Sequence, residues 1–183
     1  MIFNQTKLSG AFTINVEPFK DNRGFFTRTF CEKEFGQHGL ATHFVQANHS
    51  GTNGKGVIRG MHFQHMPYCE IKLVKCVIGA IYDVIIDLRN GSSTFLQWFG
   101  TELNSENKRM MYVPKGFAHG FQSLTDHSEI IYMVSDFYNK ESEGGVRYND
   151  PSVNIKWPLP VTLVSEKDQN IALINSTFAG VIL

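Results

Sequence analysis

The chain has 183 residues, 42% of them hydrophobic, with 17 basic and 17 acidic side chains that cancel. That balance excludes nucleic acid or an anionic membrane as the main partner, since both need a strong basic excess. The length fits one domain over residues 1–183 with a sizeable core. No apolar run approaches membrane-spanning length, and the start lacks a basic stretch followed by an apolar core, so a cytoplasmic location is expected. Cys31, Cys69 and Cys76 are odd in number and have no C-x-x-C spacing, which argues against a disulfide framework and against structural zinc.

The elements are expected as follows. Residues 11–18 alternate as a first strand, and Asp21-Asn22-Arg23-Gly24 has turn chemistry. Phe25 to Phe30 resumes strand character, and 31–39 forms a short helix ending near Gly39. Thr42 to Asn48 reads as strand and Ser50 to Lys55 as a polar loop. Residues 56–64 and Ile71 to Val77 are strands; Gly79 turns the chain into a buried strand from Ile81 to Leu88. Asn90 to Ser93 is a turn. Strands follow over Phe95–Leu103, Met110–Val113, Phe117–Leu124 and Glu129–Phe137, then a less regular tail with a short helix over 167–176. Many short strands with regular turns and only two short helical stretches imply an all-β sandwich or barrel.

The stretch Gly56-Val57-Ile58-Arg59-Gly60-Met61-His62-Phe63-Gln64 carries the chemistry. Strict alternation places His62 and Arg59 on opposite faces. Gly60 breaks the run, and a strand-interior Gly often marks a bulge. A bulge there brings a proton-transfer imidazole and an anion-binding guanidinium into one cavity; without it, His62 is a core histidine and Arg59 a surface one. Lys72 shares a face with Val74 and Cys76, so it is either an inward cation for a developing oxyanion or a snorkelling surface group. Tyr132 alternates with Ile130 and Val134 and is either a reactive phenol or a core Tyr with a partner. His119, between Gly116 and Gly120, is a binding or a packed histidine. Asp168 is a helix-start carboxylate or the orienting partner of His62. No H-x-H, H-E-x-x-H, P-loop, G-x-S-x-G or dinucleotide fingerprint is present, so neither a metal nor a redox cofactor has a visible handle. Acid–base chemistry by His, Tyr, Lys and carboxylates is what the inventory supplies.

The segments Gly56 to Gln64, Lys72-Leu73-Val74, Asp87-Leu88-Arg89, Tyr112 to Phe121, Asn149-Asp150-Pro151 and Ser165-Glu166-Lys167-Asp168 resemble, in order and spacing, the dTDP-4-dehydrorhamnose 3,5-epimerase family. The resemblance implies a cupin-type jelly roll with a few short peripheral helices, working without metal or cofactor as a homodimer on a nucleotide-linked 4-keto-6-deoxyhexose. It implies His62 as general base, Asp168 as its orienting partner, Lys72 as stabiliser of the enolate oxygen and Tyr132 as the acid on the opposite face. Arg59 and His119 would hold the substrate. Arg23, Phe26, Gln46, Asn48 and Tyr138 match positions that bind nucleotide or sugar, some across the dimer. The implied role is deoxysugar supply for surface polysaccharide. One departure stands out: Glu70 occupies a position where a Gln is expected, and a carboxylate there either pairs with Lys72 or repels a phosphate. Single-site epimerases of C3 or C5, some acting on CDP-linked sugars, share these residues. A non-catalytic sugar-binding jelly roll has no need of His62, Lys72, Tyr132 and Asp168 together.

Overall fold

The computed structural model describes residues 1–183. Fourteen strands and two short helices follow one another along the chain. The first part holds β1 (Ile2–Gln5), β2 (Phe12–Asn15), β3 (Phe19–Asp21), β4 (Gly24–Phe26), α1 (Glu32–Gln37), β5 (Gln46–Asn53), β6 (Val57–Gln64) and β7 (Lys72–Ile78). Then come β8 (Ala80–Asp87), β9 (Trp98–Asn104), β10 (Met110–Val113), β11 (Phe117–Ser123), β12 (His127–Val134), β13 (Glu143–Gly145), β14 (Leu163–Val164) and α2 (Glu166–Gln169).

Two sheets form the jelly roll. The first runs β1-β2-β10-β7-β12-β5, and the second runs β13-β6-β11-β8-β9 with β14 beside β6. Between them lies a core built from Val74, Cys76, Met111, Val113 and Ile130 on the first sheet and Ile81, Ile85, Leu103, Phe117 and Phe121 on the second. The second sheet is covered on its other face too: Met61, Phe63, Val84, Ile86 and Ala118 pack against Val146, Val153, Ile155 and Val181 of the later chain. Burial on both faces explains why β8 reads as a continuous apolar run rather than an alternating one. The outer face of the first sheet is partly roofed by α1, with Phe35 on Ile14, Leu73, Met110 and Tyr112. Cys76 is a fully buried core residue.

Several boundaries differ from expectation. The strand expected over Thr42–Asn48 instead runs Gln46–Asn53, so the polar stretch taken as loop is half of β5. Polar residues suit it because β5 is the sheet's edge, paired only with β12. The strand expected over Phe25–Phe30 ends at Phe26, where the β3–β4 hairpin has no further partner. The helix expected over 167–176 is a single turn, Glu166–Gln169.

Gly60 does mark a bulge. His62 pairs with His119, and Arg59 pairs with Phe121, so three steps on β6 oppose two on β11. The extra residue reverses the side-chain phase, which is why Arg59 and His62 reach the same cavity. Gly60 has φ +116°, and a Cβ on it would sit 2.7 Å from Gly120 Cα and 2.8 Å from His119 O. Only a residue without a side chain fits this crossing.

Candidate active site

The cavity lies between the two sheets. The second sheet contributes Arg59 and His62 from β6 and His119 from β11; the first contributes Ser50 from β5, Lys72 from β7 and Tyr132 from β12. A second lobe, lined by Gln46, Asn48, Gln64, Glu70 and Tyr138, meets the first at Lys72 and Tyr132. The first lobe has a volume of about 170 Å³, below the roughly 300–1,000 Å³ common for ligand pockets.

His62 is placed by a chain of local causes. β14 pairs in parallel with Val57 and Ile58 of β6, which brings the following turn beside the strand. Ser165 caps that turn, its Oγ accepting from the Asp168 N–H at 3.1 Å. Asp168, with a side chain only 5% exposed, then accepts from His62 Nε2 at 2.6 Å and from the Gly60 N–H at 3.2 Å. Burial alone would raise the Asp168 carboxyl. The hydrogen bond and charge of His62, with the Gly60 N–H, carry it below the usual carboxylate range instead. An ionised Asp168 requires Nε2 to carry the proton, which leaves Nδ1 as the basic nitrogen of the neutral ring.

Tyr132 is part-buried, and its phenol is pushed up by burial first and by the Glu70 charge second, with Arg59 opposing. It therefore stays protonated at neutral pH and able to donate. Lys72 turns inward, its side chain 13% exposed, and is paired with Glu70. Of the two outcomes expected for Glu70, pairing is the one found. Arg59 is braced by Thr52 Oγ1 and Gly51 O, each at 2.9 Å, and so crosses from β6 to the edge strand β5. His119 Nε2 meets Asp83 Oδ1 at 2.7 Å. Asp83 is fully buried, its other oxygen has no partner, and burial raises its carboxyl while His119 pulls it back.

The structure thus brings together His62, Lys72, Tyr132, Asp168, Arg59 and His119, and sets Gln46, Asn48 and Tyr138 around the adjoining lobe. Arg23 and Phe26 are the exceptions. Both lie on the β3–β4 hairpin, which stands off the sheets; the Arg23 side chain is 90% exposed and Phe26 69% exposed, and neither lines the cavity of its own chain. Asp83 carries no expectation from motif spacing, although a lone carboxylate inside the apolar run Ile81 to Ile86 is a visible signal. Glu143, which accepts from Lys167 Nζ at 2.6 Å and Tyr138 Oη at 3.2 Å, had none. No three His, Cys, Asp or Glu side chains converge as a metal cage.

A jelly roll holding a His–Asp pair, a cation and a protonated phenol around one cavity defines a proton-transfer site. The chain belongs to the dTDP-4-dehydrorhamnose 3,5-epimerase family, whose model matches residues 5–176. A dTDP-4-dehydrorhamnose 3,5-epimerase of Shigella flexneri is 44% identical over 167 residues, 91% of this chain and 92% of the relative. The crystal structure of the Elizabethkingia anophelis NUHP1 dTDP-4-dehydrorhamnose 3,5-epimerase superposes with a TM-score of 0.92 at 42% identity, covering 97% of this chain and 98% of that one. The Legionella pneumophila dTDP-6-deoxy-D-glucose-3,5-epimerase, solved in complex with dTDP-4-keto-L-rhamnose, superposes at 0.90 with 38% identity, covering 98% and 97%.

Proposed function

We propose that the protein epimerises a dTDP-linked 4-keto-6-deoxyhexose at C3 and C5, converting dTDP-4-dehydro-6-deoxy-D-glucose to dTDP-4-dehydro-L-rhamnose. The observation that supports this reading is an imidazole and a phenol facing one cavity from opposite walls: His62 stands on the second sheet and Tyr132 on the first, with Lys72 between the two lobes.

The chemistry follows from that placement. The hydrogen on a carbon next to a ketone is weakly acidic until the carbonyl oxygen is stabilised as it becomes negative. The Lys72 ammonium supplies that stabilisation. His62 Nδ1 takes the proton from one face, and Asp168 holds the resulting imidazolium. The electron pair moves into the enolate, and the Tyr132 phenol returns a proton to the opposite face, inverting the carbon. His62 and Tyr132 then exchange protons with solvent, and the cycle repeats at the other carbon flanking the ketone. No electrons leave the substrate. Arg59 and His119 hold the sugar and its phosphates, while Gln46, Asn48 and Tyr138 serve the nucleotide side in the second lobe.

The working unit is a homodimer in this reading. Phe19, Phe25 and Phe26 are 77%, 58% and 69% exposed on one hairpin, an apolar display that a second copy would cover. Arg23 and Phe26 would then reach the partner's cavity rather than their own.

Proton NMR of the protein with dTDP-4-keto-6-deoxyglucose in D₂O tests the activity. Loss of both the C3 and C5 proton signals with formation of the L-rhamno product is expected. Loss of one signal alone would make it a single-site epimerase; loss of neither would mean no catalysis on this sugar, and the same test with a CDP-linked 4-keto sugar comes next.

A further inference from the structure

We infer that Glu70 is a positioning residue: its buried carboxylate latches the Lys72 ammonium to Gln64 and, through Gln64, to the backbone on both sides of Tyr138. The inference rests on the epimerase reading for its kinetic arm only.

The Glu70 side chain is 6% exposed and sits just ahead of β7. One of its oxygens takes Lys72 Nζ, and the other accepts from Gln64 Nε2 at 2.5 Å. The two N–H groups of that amide are shared between Glu70 and the carbonyls of Tyr68 at 2.9 Å and Phe137 at 3.1 Å, while Gln64 Oε1 accepts from the Asn139 N–H at 2.6 Å. Tyr138 is therefore clamped at both flanks by a residue that is itself tied to Glu70. Gln64 closes the end of β6 nearest the second lobe, two residues from His62. A carboxylate buried this deeply is retained only with partners for its oxygens. Here those partners are the electrophile of one lobe and the anchor of the other.

The latch has a mechanical and an electrostatic effect. A Lys side chain has four rotatable bonds and no fixed direction of its own. Without an acceptor at Glu70, the ammonium is free to leave the point where it meets a developing oxyanion, and small misplacements of such groups cost about 10²-fold in rate. Glu70 also presents a negative charge to Tyr132, where Arg59 and His62 on β6, His119 on β11, Lys72 on β7, and Asp136 and Tyr138 after β12 are the other titratable or charged groups around the joined lobes. Removing that charge makes the phenol easier to ionise.

Two variants separate the effects. Glu70→Ala removes the acceptor, and its kcat is expected to fall about 10²-fold with a smaller change in KM. Glu70→Gln keeps an oxygen for Lys72 and lacks the charge. It is expected to recover kcat to within about threefold, while the alkaline limb of its kcat–pH profile moves to lower pH. A second measurement needs no substrate. The Tyr132 phenol is followed by NMR in ¹³Cζ-tyrosine-labelled protein, with the signal assigned by its loss in Tyr132→Phe. In Glu70→Gln this phenol is expected to titrate at lower pH than in the wild-type protein. A Glu70→Ala enzyme with wild-type kcat would overturn the latch, and an unmoved Tyr132 titration in Glu70→Gln would overturn its electrostatic effect. Absence of turnover in the wild-type protein itself would instead overturn the epimerase reading, leaving the titration as the test of Glu70.

Discussion

Replacing Asp168 with Asn probes the point on which the His62 assignment depends. The carboxylate is 95% shielded and accepts two hydrogen bonds, from His62 Nε2 at 2.6 Å and from Gly60 N at 3.2 Å. Asn keeps the size and still offers an oxygen to the Gly60 N–H, so the loop stays seated. What it loses is the negative charge facing the imidazole. A hydrogen bond to a charged group contributes about 1.5–3 kcal/mol, and each 1.36 kcal/mol is about tenfold in rate. The expected fall in kcat is therefore about 10- to 150-fold from the interaction alone. The Asn amide further favours the tautomer with its proton on Nδ1, which removes the basic nitrogen from the cavity and adds to that loss. KM is expected to change little, because Asp168 acts through His62. The assay is the initial rate of solvent-hydrogen exchange into the 4-keto sugar, with urea unfolding in parallel. A variant with wild-type kcat would show that His62 does not depend on the Asp168 charge.

The same carboxylate makes stability depend on pH. Its folded-state pKa lies below its ordinary value of 3.8, so its contribution is fully present above that value and lost as pH falls through the folded value. The stability gap between wild type and Asp168→Asn, read by urea unfolding, should shrink as pH falls below about 3.8. Lys72→Met should lower kcat by about 10²–10³-fold, the usual loss for one oxyanion-stabilising donor, in a steady-state assay with the 4-keto sugar. Gly60→Ala places a Cβ within 2.8 Å of Gly120 Cα and His119 O at φ +116°. Overpacking and backbone strain together should cost about 2–6 kcal/mol by urea unfolding, with Ala at the exposed Gly91 turn as a milder comparison.

Much of the jelly roll was legible because its strands are short, β-branched and separated by turn residues: β6, β7, β8, β10, β11 and β12 fall within a few residues of expectation. The bulge at Gly60 was legible because a lone Gly in an otherwise unbroken strand has few other uses. The polar half of β5 was not, since an edge strand needs no apolar face and Ser50 to Asn53 has loop composition. The two-residue β14 and three-residue β13 are too short to carry a period, yet β14 is what brings Asp168 to His62. Pairing across 106 residues between those two side chains has no local signature at all. The same holds for Glu143 with Lys167 and Tyr138. Arg23 and Phe26 were assigned through resemblance. The fold explains why their own cavity lacks them, because their hairpin pairs only with itself.

Tyr132→Phe separates proton removal from inversion and so shows whether base and acid act from opposite walls. The variant and His62→Ala are each incubated with the 4-keto sugar in D₂O, and deuterium uptake and product configuration are read from the same sample. With base and acid on opposite walls, Tyr132→Phe is expected to incorporate deuterium without inversion, because His62 still removes and returns a proton on its own face. Under the same arrangement, His62→Ala is expected to slow both exchange and inversion by about 10²–10⁴-fold. Inverted product from Tyr132→Phe at the wild-type rate would contradict it, as would wild-type exchange by His62→Ala.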